Sequence, residues 1–177
     1  MALRAASAIR QAAHADVRHG VVTASAGNMA QGVAWAAREL GVPATAVAPD
    51  NAPKTKVDAI ERLGGRVVLV PYDRWWQALV DGRYDAVEGL FVHPVADERV
   101  MAGNGTIGLE LAEQLPDADA VVVPWGGGGL FTGIASALAL AAALSGNVPG
   151  RKVVCIVSGG NIDADRLAAI LRGGTPS

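Results

Sequence analysis

Cysteine occurs once in 177 residues, at Cys155, so the chain can build neither a disulfide framework nor a cysteine-ligated metal cluster, and no metal site is expected. A lone thiol accords with a reducing, cytoplasmic compartment. Basic runs are missing as well. With 15 Lys and Arg against 17 Asp and Glu, the net charge is -2, which argues against a nucleic-acid partner. Charge is absent altogether between Asp119 and Arg151, a gap long enough to span a bilayer. It is interrupted by Pro124, by Gly126 to Gly129 and by Ser145-Gly146-Asn147, and the apolar piece left from Leu130 to Leu144 is short of the ~20 residues a spanning helix needs. Residues Met1 to Arg10 lack the apolar block of a secretory signal, so neither membrane insertion nor secretion is expected.

What the chain has is apolar mass: 51% hydrophobic residues against 18% charged, which excludes intrinsic disorder. Its length suits one domain or two small lobes sharing a core. Short β-branched runs recur at residues 20–23, 44–48, 66–70, 90–92, 120–123 and 152–157, between Ala-rich stretches. Continuous apolar runs bounded by Gly, Pro or Asp are the pattern of strands covered on both faces. The intervening stretches read as helices at 3–17, 29–40, 53–63, 74–82, 99–114, 128–145 and 163–171, with Pro53 in a first turn and Gly41 and Gly64 ending helices. Such alternation predicts an α/β fold, a doubly wound, mostly parallel sheet with helices on both faces.

In such sheets ligands bind beyond the carboxyl ends of the strands. Three of those positions carry chemistry. Gly126, Gly127, Gly128 and Gly129 follow the fifth strand and precede a helix. Without Cβ atoms, their consecutive amides can cradle an anion, although a tight turn would use the same glycines. No Lys-Ser/Thr pair follows, as in a P-loop, and a dinucleotide fold would carry its glycines after the first strand, which disfavours a nucleotide-binding Rossmann domain. Ser25-Ala26-Gly27-Asn28 offers a hydroxyl, an amide and backbone N–H groups at a helix start, a set suited to a carboxylate, though a plain helix cap would use the same residues. Ser158-Gly159-Gly160-Asn161 is similarly placed after the last strand.

Thr23 to Val33, Ala52 to Ala59, Gly64-Gly65, His93-Pro94, Ala102 to Glu110, Gly126 to Leu130 and Ser158 to Asn161 stand in an order that resembles threonine and serine dehydratases. These are pyridoxal-phosphate enzymes of the tryptophan-synthase-β fold, related to serine racemase. The resemblance implies β-elimination of a hydroxy amino acid to a 2-oxo acid and ammonia. It makes Gly126 to Gly129 with Leu130 the cofactor's phosphate loop, Asn28 the partner of its 3′-oxygen and Ser158 the residue facing its pyridine nitrogen. Ser25, Ala26, Gly27, Asn28 and Gln31 correspond to the loop that receives the substrate carboxylate. In the family a Schiff-base lysine lies 26 to 30 residues before that Asn, and here the position is Ala2. The family's lysine both holds the cofactor and moves the Cα proton, so the resemblance leaves no catalytic residue here and raises a rival reading, a non-catalytic cofactor or amino-acid binding remnant. Gly133 to Leu138 runs straight into Ala139 to Gly150 where the family has a long segment, so the chain reads as an N-terminally and internally shortened dehydratase. Residues 18–95 are expected to form a small cofactor- and substrate-binding lobe, and 1–17 with 96–177 a reduced large lobe. Apolar faces left by the shortening imply a homo-oligomer.

Overall fold

The computed structural model describes residues 2–12, 17–124, 129–135 and 153–155. Helix α1 (Ala2–Gln11) leads to β1 (Val21–Ala24), α2 (Asn28–Leu40), β2 (Ala44–Pro49), α3 (Lys54–Arg62), β3 (Arg66–Val70), α4 (Tyr72–Asp81), β4 (Leu90–Phe91), α5 (Glu98–Gln114), β5 (Ala120–Val122) and β6 (Val153–Cys155), with a helical stretch at 129–135 before β6. Four strands form one sheet in the order β3-β2-β1-β4, and β5 and β6 form another. Every pairing among the described residues is parallel. The expected α/β, parallel-stranded architecture is therefore present. The helix expected at 163–171, the later part of that at 128–145 and the last turn of that at 3–17 lie outside the described residues.

The apolar runs are continuous because successive side chains enter different layers. Val21, Ala44, Ala46 and Val92 pack beneath α1, α2 and α3 with Ile9, Val33, Ala34 and Ile60, whereas Val22, Val47 and Val70 pack with Phe91, Trp75 and Tyr84 on the α4 side. Both faces of β1 are consequently buried along its whole length. β3 and β4 are the edge strands of this sheet, and Leu69 on β3 is exposed, as are Tyr72, Trp76 and Val80 on α4. No helix among the described residues is long and apolar enough to cross a membrane.

Element ends follow local chemistry, with small departures from expectation. Pro53 precedes α3 as its N-cap, and Pro71 does the same for α4, which starts at Tyr72, two residues before the expected 74, because the fixed φ of Pro71 (−51°) already leads into the helix. Gly41 ends α2 in the left-handed region at φ 69°, the conformation a helix C-cap favours. β1 runs over 21–24 instead of 20–23, because Gly20 adopts φ 98°. Gly20 and Gly89 stand where three strands enter the sheet side by side. Val21 N–H donates to Pro43 O (2.8 Å) and Leu90 N–H to Gly20 O (2.9 Å). A Cβ on Gly20 would lie 2.7 Å from Pro43 O, and one on Gly89 2.7 Å from Gly20 O.

α5 begins at a built cap. Asp97, its side chain 7% exposed, accepts from Arg99 N (2.9 Å) and Arg99 Nε (3.0 Å) through Oδ1 and from the guanidinium through Oδ2 (2.8 Å). Burial raises its pKa, but the hydrogen bonds and charge of Arg99 outweigh that and hold the carboxyl below its ordinary range. Because the folded carboxyl is a stronger acid than the unfolded one, its stabilisation is complete above about pH 4 and is lost as pH falls through the lower folded value. Asp97→Ala should cost about 1–2 kcal/mol in urea unfolding at pH 7, and the cost should shrink in acid. A cost that stays constant down to pH 2 would contradict the assignment.

Candidate functional site

The order β3-β2-β1-β4 contains a reversal: the chain winds outward from β1 through β2 to β3, then returns to the other side of β1 for β4. A crevice opens at such a switch point beyond the carboxyl ends of the two strands. The residues there are Ser25 to Asn28 after β1 and Val92 to Ala96 after β4. Thr23, fully buried, fastens the two strands together by donating its Oγ1 hydrogen to Val92 O at 2.8 Å.

On the β1 side, the Ser25 hydroxyl accepts from Gly27 N–H at 3.1 Å, forming a tight turn into α2. Asn28 is the first residue of α2, and Gln31 lies in its first turn; Ser25, Ala26, Gly27, Asn28 and Gln31 are all half-buried. Among the described residues a Cβ built on Gly27 meets only Ser25 Oγ, at 3.8 Å, so the turn is open to approach. Of the five residues expected to act together, 25–28 are thus contiguous at one strand end and Gln31 lies in the first turn of the helix that follows. The amino end of α2 adds partial positive charge to a set of neutral donors.

The β4 side is held by His93. Its Nδ1 accepts from Val95 N–H (3.1 Å) and Ala96 N–H (2.9 Å), which fixes the proton on Nε2, and Nε2 donates to Leu79 O of α4 (3.0 Å). His93 therefore shapes the turn and ties it to α4. Gly129 packs onto that turn so closely that a Cβ there would lie 3.0 Å from Val95 O. Its carbonyl accepts from Nδ2 of Asn104 on α5 at 2.7 Å. The last glycine of the run is in this way brought to the carboxyl end of β4, with Leu130 half-buried beside it in the 129–135 helix. Gly126, Gly127, Gly128 and Ser158 lie outside the described residues, and Ala2 is the first residue of α1.

The sequence did not single out Thr23, the orienting role of His93, or Asn104. A polar residue between Gly103 and Gly105 inside a 17-residue helix was the available signal for Asn104, because glycine in a helix interior is unfavourable unless close packing requires it. An open cavity of about 430 Å³ lined by His19, Val22, Val87, Gly89 and Phe91 lies toward the amino ends of β1 and β4, away from these donors. Among the described residues no group of His, Cys, Asp and Glu could hold a metal ion.

Comparison with known proteins gives a consistent result. Residues 2–168 match the family described as pyridoxal-phosphate dependent enzyme. An L-threonine ammonia-lyase of Geobacter sulfurreducens is 50% identical over 121 residues, 67% of this chain and 30% of that protein. A serine racemase of Arabidopsis thaliana is 42% identical over 125 residues, 67% of this chain and 36% of that protein. The structure of maize serine racemase superposes with a TM-score of 0.73 at 30% identity, covering 99% of this chain and 51% of that one. The chain spans about a third of the length of the curated relatives it matches.

Proposed function

The chain belongs to the pyridoxal-phosphate dependent enzyme family, and from that premise we propose that it carries cofactor- and substrate-binding parts of a threonine or serine ammonia-lyase. The observation that carries this reading is the placement of Ser25 to Asn28 and of Gly129 at the carboxyl ends of adjacent parallel strands. The residues fit the group. The turn at Gly27 is open, its donors are neutral, and Gly129 is held where a Cβ would be excluded.

In this reading Gly126 to Gly129 and Leu130 would hold the phosphate, Asn28 would donate to the 3′-oxygen, and Ser158 would face the pyridine nitrogen with a neutral hydroxyl. When bound, pyridoxal phosphate withdraws electrons from the amino acid and so acidifies its Cα proton. Ser25, Gly27, Asn28 and Gln31 bind and orient the substrate carboxylate through hydroxyl, amide and backbone N–H groups. Ala26 has no proton to return to Cα, which favours loss of the β-hydroxyl over racemisation. Proton transfer itself has no candidate among the described lysines. Lys54 is on the exposed surface, paired to Asp58 at 2.7 and 2.8 Å, and Lys56 is two residues away, after β2 on the side of β1 remote from β4. That observation favours a second reading, a unit that binds cofactor and amino acid without turning them over.

The division into lobes 18–95 and 1–17 with 96–177 is part of this proposal; the separate four- and two-stranded sheets support it, while Ile9 of α1 packs in the same core as β1 and α2. Exposed Leu69, Tyr72, Trp76 and Val80 support self-association, and the single Cys155 supports a cytoplasmic setting.

Gly27→Val tests the site without loading the fold, since the residue has φ −106° and room for a Cβ. Its side chain should block the turn and raise the dissociation constant for pyridoxal phosphate about tenfold, with the melting temperature nearly unchanged. Undiminished binding by a folded Gly27→Val chain, read by fluorescence titration, would overturn the proposed site.

A further inference from the structure

Asn104 is 1% exposed in the interior of α5. Its Nδ2 donates to Gly129 O at 2.7 Å, a contact between residues 25 apart in sequence. A carbonyl can only accept, so the carboxamide orientation is fixed, and Oδ1 is left buried with no hydrogen-bond partner among the described residues. The amide thus leaves one buried acceptor unmet while its donor is committed to Gly129 O, so what it supplies is a directed tie to that carbonyl. Gly129 is confined on its other side by Val95. One helical turn on, Gly133 lies so close to Met101 O and Asn104 Cβ that a side chain there would clash. The backbone at the end of the glycine run is thus set by two close packings and one side-chain hydrogen bond.

We propose, resting on the cofactor reading above, that Asn104 is a positioning residue that fixes Gly129 at the register in which the glycine run meets a phosphate. It acts through Gly129 and touches no ligand. Its effect therefore falls on the phosphate group of the cofactor and leaves recognition of the pyridine ring unchanged.

The test titrates the full chain with pyridoxal phosphate and, separately, with phosphate-free pyridoxal, for the unaltered protein and for Asn104→Asp and Asn104→Leu. Loss of one buried hydrogen bond should raise the dissociation constant for pyridoxal phosphate about three- to tenfold and leave that for pyridoxal unchanged. Weakening of both ligands together, or of neither, in folded variants overturns the proposal. A second measurement needs no variant. In the unaltered chain, the side-chain amide resonance of Asn104 should shift on saturation with inorganic phosphate, and a resonance that stays in place overturns the proposal. An unaltered chain that takes up no pyridoxal phosphate removes the cofactor reading and this inference with it, whereas normal uptake with an unchanged ratio of the two affinities overturns this inference alone.

Discussion

Pyridoxal phosphate added to this chain should be removed completely by dialysis, and borohydride should fix none of it to the protein; Ala2→Lys should reverse both results. Reach decides both results. A cofactor aldehyde is retained covalently only by an uncharged amine brought against it. Of the chain's three lysines, Lys54 is locked in an exposed ion pair, Lys56 shares its helix turn after β2, and Lys152 immediately precedes β6. In Ala2→Lys, mass mapping after reduction should find about one equivalent of cofactor on position 2. Release of 2-oxo acid from threonine should rise by roughly 10²–10⁴-fold, the range that a positioned proton-transfer group contributes. A reduced adduct on Lys54, Lys56 or Lys152 of the unaltered chain would show that the site is completed in another way.

The largest loss of stability should come from Gly20→Ala and Gly89→Ala. Each residue has a positive φ (98° and 139°), and at each an added Cβ would sit 2.7 Å from a backbone oxygen of the neighbouring strand entry. Neither oxygen can move away, because both accept ladder hydrogen bonds, Pro43 O from Val21 and Gly20 O from Leu90. Backbone strain and steric overlap together should cost about 2–5 kcal/mol, a large part of a total of about 5–15 kcal/mol. Gly41→Ala and Gly82→Ala separate the two contributions. Both have positive φ with nothing within 4 Å, so their cost should be only about 1–2 kcal/mol. Four equal values in urea unfolding would mean that the crowded strand entries do not matter.

The strands were legible because burial on both faces leaves continuous apolar runs, and β1, β2 and β3 lie within one residue of where those runs stand. Strand order was not. Nothing in Leu90-Phe91 states that it pairs with β1 instead of β3, yet that choice creates the switch point. The donor set after β1 was readable because its residues fall within seven positions of the sequence. Thr23, His93 and Asn104 were not, because each acts on a partner distant in sequence: Val92 for Thr23, Leu79 for His93 and Gly129 for Asn104. Pairings of that kind leave no periodic trace, and a lone Thr in a buried strand reads as apolar filler.

The position of β1 between β2 and β4 also sets an order of assembly. Its pairing with β2 closes one strand–helix–strand unit, and β3 adds a second of the same short span. Its pairing with β4 and the Thr23 to Val92 bond require closure across 69 residues, a slower step with a larger entropic cost. During synthesis, the turn after β1 therefore forms beside an open strand edge, and the crevice acquires its second wall only when Leu90 to Val92 arrive. Until then β1, buried on both faces in the finished sheet, presents that edge to any neighbouring chain, so the strand that carries the turn stays open to mispairing until β4 docks.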